Sequence, residues 1–466
     1  MGLTAQGLAR AGRGVGVGLA AVLLVSCAGL PSLVPDLAQA PVPVQLAGAR
    51  GPLSEAQSQT VLARLASKGE ETGIFERHLA IEDALVDSPM TTGNQVQLLQ
   101  DGPATYQAMF AAIEAARDHI NLETYILDDD AVGQRFAQAL IAKQQQGVQV
   151  NVIRDSVGTV GTPAAFFQQL SDSGIRVLEF NPLNPLATRK EWELNRRDHR
   201  KLLIVDGQTA FMGGINISSV YSGGSFSRRS REPPDGGPAW RDTDLQLSGP
   251  VVAEFQKLFL EAWASQHGEP LPPRNYFPPA EVRGRLLVRA IGSSPDDAFS
   301  LIYATLLSAI ASAETSVYIT NAYFVPDPQL MAALQAAARR GVDVKLILPS
   351  QTDSWLVFQA GRGFYEPLLR AGVKIYERSG VILHAKTALI DGVWATVGST
   401  NLDWRSFLHN HELNAVVLGT DFGLQVQAMF ARDLSLSRVV TLEAWTSRPL
   451  HWRLQELFAR TWAYWL

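Results

Sequence analysis

From about residue 95 the apolar positions of the chain alternate between two periods. VQLLQDG reads as a short strand and turn, and ATYQAMFAAIEAARDH carries apolar residues at helical spacing. INLETYIL is then a strand, AVGQRFAQALIAKQQQG a helix and VQVNVIRD another strand. The series returns later as RLLVRAIG, the helical DDAFSLIYATLLSAIASAE, SVYITNAYF, the helical DPQLMAALQAAARRG and VDVKLILP. Such alternation predicts α/β layering, with helices against a mixed sheet. Between the two series lies GEPLPPRNYFPPAE, residues 268–281, which is rich in proline. The organisation expected is an internal duplication, with α/β domains near 91–267 and 283–440 joined by a linker at 268–282.

The two ends follow other patterns. Arg10 and Arg13 precede the apolar run VGVGLAAVLLVS, which ends at Cys27, the order of a secretory signal over residues 1–26. Leu24-Val25-Ser26-Cys27 resembles a bacterial lipobox, in which Cys27 becomes the lipidated N-terminus. The alternatives are an uncleaved anchor or an incidental cysteine. The uncharged run from Gly14 stops at Pro31, slightly short of the ~20 residues of a membrane span. Residues 27–50 read as a tether and 51–90 as a helical extension. Residues 441–466 are expected to form an amphipathic helix, with Leu454, Leu457, Phe458, Trp462 and Trp465 at helical spacing beside Arg453 and Arg460. It either docks on the core or lies on a membrane interface. The polar stretch SGGSFSRRSREPPDGGP, residues 222–238, reads as a solvated loop or a lid bearing Arg228, Arg229 and Arg231.

With 466 residues the chain has room for two or three domains and a large core. A net charge of −5 argues against a basic nucleic-acid-binding surface, so no nucleic acid partner is expected. Cys27 is the single cysteine, so no disulfide forms within the chain. The expected location is the cell envelope, anchored by lipid on the periplasmic face. Ala28, not Asp, follows Cys27, which favours the outer membrane where the source has two.

The chemistry sits in a repeat. Residues 198–216 read DHRKLLIVDGQTAFMGGIN and residues 383–401 read LHAKTALIDGVWATVGSTN. Without gaps they share His, Lys, Asp, Gly, Ala, Gly and Asn, where chance supplies roughly one identity. Asp-Gly in each window predicts a two-residue hairpin turn. Val205 then pairs with Gln208, His199 lies opposite Gly214, and His384 lies opposite Ser399. Alternation places His199, Lys201, Gly214 and Asn216 on one face, and His384, Lys386, Ser399 and Asn401 on another. Asp206 and Asp391 fall on the wrong parity and belong to the turns. A lone His-x-Lys means little, but two copies in duplicated domains offer paired imidazoles, ammonium groups and amides around one cavity. That set suits a tetrahedral anion flanked by a nucleophile and an acid. Neither a metal nor another cofactor is expected, because two lysines supply the charge.

His-x-Lys-x4-Asp-x6-Gly-Ser-x-Asn, complete at 384–401, resembles the signature of the phospholipase D superfamily. The copy at 199–216 departs in having Gly214 for Ser. A narrower resemblance, over roughly 95–450, is to bacterial cardiolipin synthases. It rests on Asn195-Arg196-Arg197-Asp198, Gly213-Gly214-Ile215-Asn216, WRDTDLQLSGP at 240–250, NAYFVPD at 321–327, GVKIYE at 372–377 and NLDWRSFLHNHELN at 401–414. Trp404 replaces an expected Pro, and a lipidation signal stands where many relatives carry two membrane-spanning helices.

The resemblance implies two phospholipase D-like α/β domains, each a mixed sheet flanked by helices, with the site at their interface. It also implies a ping-pong transfer of a phosphatidyl group between phosphatidylglycerol molecules. His199 is then the nucleophile and His384 the acid and base, with Lys201, Asn216, Lys386 and Asn401 around the phosphoryl group and Ser399 adding a hydroxyl. Asp242 and Glu412 are the carboxylates expected to hold the imidazoles. Both halves of the site lie in one chain, so no oligomer is required. The alternatives are a phospholipase D that transfers to water, a nuclease of the same superfamily, and a non-catalytic envelope scaffold.

Overall fold

The computed structural model describes residues 44–66, 74, 78–183, 195–225 and 238–466. Cys27 and its signal segment, and Arg228, Arg229 and Arg231 of the polar loop, lie outside the described residues.

Each half folds its series of strands into the same order. In the first half Arg176–Phe180, Gln149–Asp155 and His119–Thr124 run parallel, followed by antiparallel Lys201–Val205, Thr209–Gly213, Thr243–Ser248 and Met90–Gln100. In the second half the order is Lys374–Arg378, Asp343–Pro349, Ser316–Asn321, Lys386–Ile390, Trp394–Gly398, Asn410–Leu418 and Leu286–Ser293. Parallel neighbours need a crossover, and helices Ala131–Gln145 and Pro328–Arg339 provide equivalent ones. Asp130 and Asp327 cap them by accepting from two backbone N–H groups each, worth about 1 kcal/mol per cap.

The last strands of the two series, Met90–Gln100 and Leu286–Ser293, pair antiparallel and join the sheets edge to edge. One core also belongs to both halves: Met212, Leu245 and Phe255 pack in the same cluster as Val397, Ala415 and Val426. Full burial of such side chains is worth about 1.5–3 kcal/mol each, so this shared core holds the halves face to face.

The ends differ from expectation. Leu46–Gly48, assigned to a tether, is a strand pairing parallel with Met90 and Thr91. Leu46, Leu79, Val86 and Met90 enter the core of the second half, although the first half is nearer in sequence. Burial of these apolar side chains is the reason this segment is not free. A buried cluster reinforces the attachment, with His78 2.9 Å and Arg289 3.4 Å from Glu82. The single helix expected over 441–466 is broken at Pro449 into Leu442–Thr446 and Leu450–Arg460, followed by a 3-10 turn at Ala463–Trp465. Ala459 and Glu456 dock inward, while Leu454, Leu457, Phe458, Trp462 and Trp465 remain exposed.

Candidate active site

Each repeated window forms the expected hairpin, but with a different register. Asp206 and Gly207 have φ of 53° and 62°, Asp391 and Gly392 of 50° and 66°. The N–H of Gln208 donates to Val205 O, as a two-residue turn requires, yet the ladder pairs Val205 with Thr209 and Ile390 with Trp394. Gln208 and Val393 are therefore extra residues, and the placements of His199 opposite Gly214 and His384 opposite Ser399 are corrected. The cause lies in the aspartates. Asp206 accepts from the N–H groups of Arg117, Asp118 and His119, and Asp391 from those of Glu314, Thr315 and Ser316. Each aspartate thus bolts its turn to the start of the neighbouring strand, away from the catalytic end.

At that other end both segments leave their own sheet. Arg197–Asp198 pairs with Asn410–His411, and Trp240–Arg241 with Ile382–Leu383. The N–H of His199 donates to His411 O at 2.9 Å, and that of His384 to Arg241 O at 2.8 Å. Each histidine is stitched into the opposite half. The carboxylates cross in the same way. His199 Nδ1 lies 3.1 Å from both oxygens of Glu412, and His384 Nδ1 lies 2.6 Å from Asp242 Oδ2. With Nδ1 held by a carboxylate on each ring, Nε2 is the nitrogen that faces no carboxylate and remains for chemistry.

Lys201 and Lys386 are buried beside their histidines, and each Nζ donates to the histidine's own carbonyl oxygen. Lys386 Nζ also lies 2.9 and 3.0 Å from the two ring nitrogens of His384. Burial pushes the Lys201 amine down to about 7 and that of Lys386 to about 8. Burial, then the two lysines, hold His199 well below its ordinary 6.5. His384 is lowered by burial and Lys386, against the opposing pull of Asp242. Burial raises the carboxyl of Glu412 to about 7, while Lys201 and hydrogen bonds from Ser399 and Asn410 oppose the rise.

Asn216 and Asn401 lie beyond their strands, at Gly213 and Gly398, yet both line the same cleft as the histidines. Asn216 accepts from the N–H of Ile126 and donates to Tyr221 Oη at 3.0 Å. Ser399 Oγ donates to Glu412 Oε2 at 2.5 Å, so its hydroxyl is spent on the carboxylate. Gly214 occupies the matching position because a Cβ there would stand 2.2 Å from Asp242 Oδ1.

The cleft, open to solvent, spans about 910 Å³ and takes its walls from both halves. Tyr125 stands edge-on to His199 with ring centroids 5.1 Å apart, while Tyr221, Trp240 and Tyr323 surround His384. Sequence reasoning missed these aromatics and the lining residues Arg197 and Arg405. No spacing marks them, since they come from strand ends and loops that only the crossing of the halves brings together.

The geometry is that of a duplicated His-Lys-Asn arrangement shared between the halves. The family described as "Cardiolipin synthase, PLD-like domain" matches residues 109–222 and 306–434. The chain belongs to the cardiolipin synthase family. Cardiolipin synthase A of Pseudomonas putida is 39% identical over 376 residues, covering 80% of this chain and 74% of the relative. A cardiolipin synthase of a Geobacillus species is 35% identical over 376 residues, covering 80% and 72%. Among solved structures, phosphatidylserine synthase of Haemophilus influenzae superposes with a TM-score of 0.62 at 14% identity, covering 82% of this chain and 96% of that one. That likeness shows the phospholipase D-like fold in a second family, and the fold alone.

Proposed function

We propose that the protein is a cardiolipin synthase-type phosphatidyltransferase that moves a phosphatidyl group from one phosphatidylglycerol to another and releases glycerol. The carrying observation is the convergence of both histidines and both asparagines on one cleft, each imidazole beside its buried lysine and gripped by the other half's carboxylate, in a chain of this family.

In this reading His199 Nε2 attacks phosphorus, the bond to the glycerol oxygen breaks, and His384 delivers a proton to that oxygen. The hydroxyl of a second lipid then gives its proton to His384 and attacks the phosphohistidine, which restores His199. One phosphodiester replaces another, so no nucleotide is consumed. Lys201, Lys386, Asn216 and Asn401 hold the phosphoryl oxygens. The shift of His199 well below its ordinary range supports a neutral nucleophile. Water at ~55 M is the competitor, but an oriented acceptor reaches effective molarities on the order of 10⁵ M or more, which decides the contest if the acceptor is bound. The test is product analysis with phosphatidylglycerol vesicles as sole lipid. Cardiolipin and glycerol are expected; phosphatidic acid as the dominant product at every lipid density would move the protein to the hydrolase reading.

Members of this family act on membrane phospholipids, and among the described residues no helix is long and apolar enough to cross a membrane. Two attachments support access to lipid. One is acylation of Cys27, tested by intact mass and by release of Cys27→Ser from membranes. The other is the exposed ridge Leu454, Leu457, Phe458 and Trp462, which bears Arg453 and Arg460 and leads to Trp465 and Leu466 in the cleft wall. Its occupant is an anionic bilayer, because the ridge pairs apolar bulk with positive charge and ends at the cleft. Leu454→Ser with Leu457→Ser is expected to weaken sedimentation with phosphatidylglycerol vesicles severalfold; unchanged sedimentation of a chain without its acyl group counts against it.

A further inference from the structure

Two cations line the catalytic cleft without belonging to either His-Lys-Asn set: Arg197 and Arg405. Arg197 is 1% exposed. Its Nη1 donates to Ser156 Oγ at 2.8 Å and Asn181 O at 3.4 Å, and lies 3.8 Å from Asp155 Oδ1. Among the described residues its Nε and Nη2 have no hydrogen-bond partner. A fully buried guanidinium with two unsatisfied donors is costly to keep, which marks it as a group awaiting an acceptor. Arg405 stands on the short helix Trp404–Leu408, partly exposed to the cleft, and its side chain makes no hydrogen bond or ion pair among the described residues.

The backbone ties the two arginines to one wall. The N–H of Arg197 donates to His409 O, and the N–H of His409 donates to Arg405 O. Both lie on the side of His199. Burial chiefly lowers His199 and Arg197, and the charge of Arg405 adds to each effect, so its guanidinium is within electrostatic reach of both. The acids nearby offset them only in part. Burial raises Asp155 to about 6 and Asp403 to about 7, and Asp353 accepts the hydroxyl of Tyr323 at 2.5 Å.

Transfer between two anionic lipids demands a second place for charge. When the phosphatidyl group sits on His199, the lysines and asparagines are occupied by its phosphoryl oxygens. The incoming phosphatidylglycerol carries its own phosphodiester, three carbons from the attacking hydroxyl. We infer that Arg197 and Arg405 form a subsite for the phosphodiester of the acceptor lipid, an inference that rests on the phosphatidyltransferase reading. Planar guanidinium donors match phosphodiester oxygens in pairs, and a neutral alcohol such as glycerol has nothing to place there. The subsite thereby selects a lipid acceptor over glycerol or water.

The experiment gives the full-length protein phosphatidylglycerol vesicles together with isotope-labelled glycerol. Mass spectrometry follows cardiolipin, made on the anionic acceptor, and labelled phosphatidylglycerol, made on the neutral one. Arg405→Gln is expected to lower the ratio of cardiolipin to labelled phosphatidylglycerol tenfold or more, with Arg405→Lys recovering part of it. Arg197→Gln is expected to lower the same ratio, and a thermal unfolding midpoint near that of wild type shows that it has folded. A ratio unchanged in Arg405→Gln, or two products that fall in parallel, overturns the subsite. If wild type makes neither product, the phosphatidyltransferase reading has itself failed and the subsite falls with it.

Discussion

His199 meets both oxygens of Glu412 at 3.1 Å, whereas His384 meets a single oxygen of Asp242 at 2.6 Å. The two pairs occupy equivalent places in the duplicated fold, and each links one half to the other. Glu412 is shared with the hydroxyl of Ser399 and the amide of Asn410. Asp242 approaches so closely that Gly214 must lack a side chain. The departure in the first window thus acts on the histidine of the second. A short contact to a carboxylate raises a proton's affinity for the ring, and Asp242 is a cause that raises His384 against burial. No carboxylate is among the leading causes acting on His199, which stays well below its usual range. One plan, finished two ways, leaves both imidazoles below their ordinary range, with His384 alone drawn back toward its proton by a leading carboxylate.

The sharpest break of this comparison is to remove each ring in turn. His199→Ala and His384→Ala are each expected to cost on the order of 10⁴-fold or more in transfer, because the pair works as one unit. They separate on a phosphodiester with a good leaving group, such as a p-nitrophenyl ester, which needs no acid. There His384→Ala is expected to form a phosphohistidine visible by intact mass, and His199→Ala none. A covalent adduct on the His199→Ala protein instead would reverse the assignment.

Gly214→Ser tests the next difference. The added Cβ would lie 2.2 Å from Asp242 Oδ1 and 2.7 Å from its Cγ, so the carboxylate must move off His384. Loss of the group that orients an acid and base is expected to cost about 10²-fold, within the range that general acid–base catalysis supplies. The measurement is the rate ratio between phosphatidylglycerol and the activated ester. A loss equal on both substrates would place the damage on His199.

The lysines differ as well. Burial lowers both: Lys201 sits at about 7, with Glu412, Asp198 and Asp242 opposing burial and Lys386 adding to it, while Lys386 sits at about 8, supported by Asp242, Glu412, Asp353 and Asp403. Activity is expected to rise with pH as His199 loses its proton, below the ordinary 6.5, because the nucleophile must be neutral. It then falls first as His384, itself lowered from 6.5 by burial and Lys386, loses the proton it must deliver. It falls again as pH climbs through about 7 and about 8, where the lysines lose the charge that binds phosphate. The kcat/KM profile of the free enzyme is therefore a narrow bell on the acid side of neutrality, rising about tenfold per pH unit and falling more steeply as the lysines follow His384. A plateau extending to pH 10 would show that the lysines keep their charge.

Much of this was legible in the chain. The alternation of strands and helices and the repeated windows carry the α/β duplication, because a half-buried strand and an amphipathic helix each impose their own period. The aspartates were placed correctly in turns by parity. The register was not legible, because one extra residue after Asp-Gly depends on Asp206 and Asp391 reaching backbone groups some 87 and 75 positions away. The crossing of Asp242 to His384 and Glu412 to His199 was equally hidden: sequence places each carboxylate near its own window, and only the shared core turns it toward the other. Arg197 and Arg405 resemble ordinary charges until burial leaves one unsatisfied and the cleft exposes the other.

The smallest effect expected is that of Ser399→Ala, and it discriminates between two roles for that hydroxyl. The resemblance suggests contact with the phosphoryl group, whereas here Ser399 Oγ donates to Glu412 Oε2 and accepts from the N–H of Leu413 at 2.9 Å. Without the hydroxyl, Glu412 still meets His199 and keeps the amide of Asn410 at 3.2 Å, so the ring keeps its tautomer. The buried N–H of Leu413 loses a partner, at a cost of roughly 1–3 kcal/mol in stability. The Ser399 hydrogen bond lowers the carboxyl of Glu412, so its removal lets that group rise further above about 7. Ionised Glu412 is then lost at higher pH than in wild type, and the acid side of the profile moves up. Transfer at the optimum is expected to fall only a fewfold, together with a lower unfolding temperature. A loss as large as that of Gly214→Ser, with the acid side unmoved and stability intact, would mean that the hydroxyl serves the substrate and that the two halves differ less than their carboxylates imply.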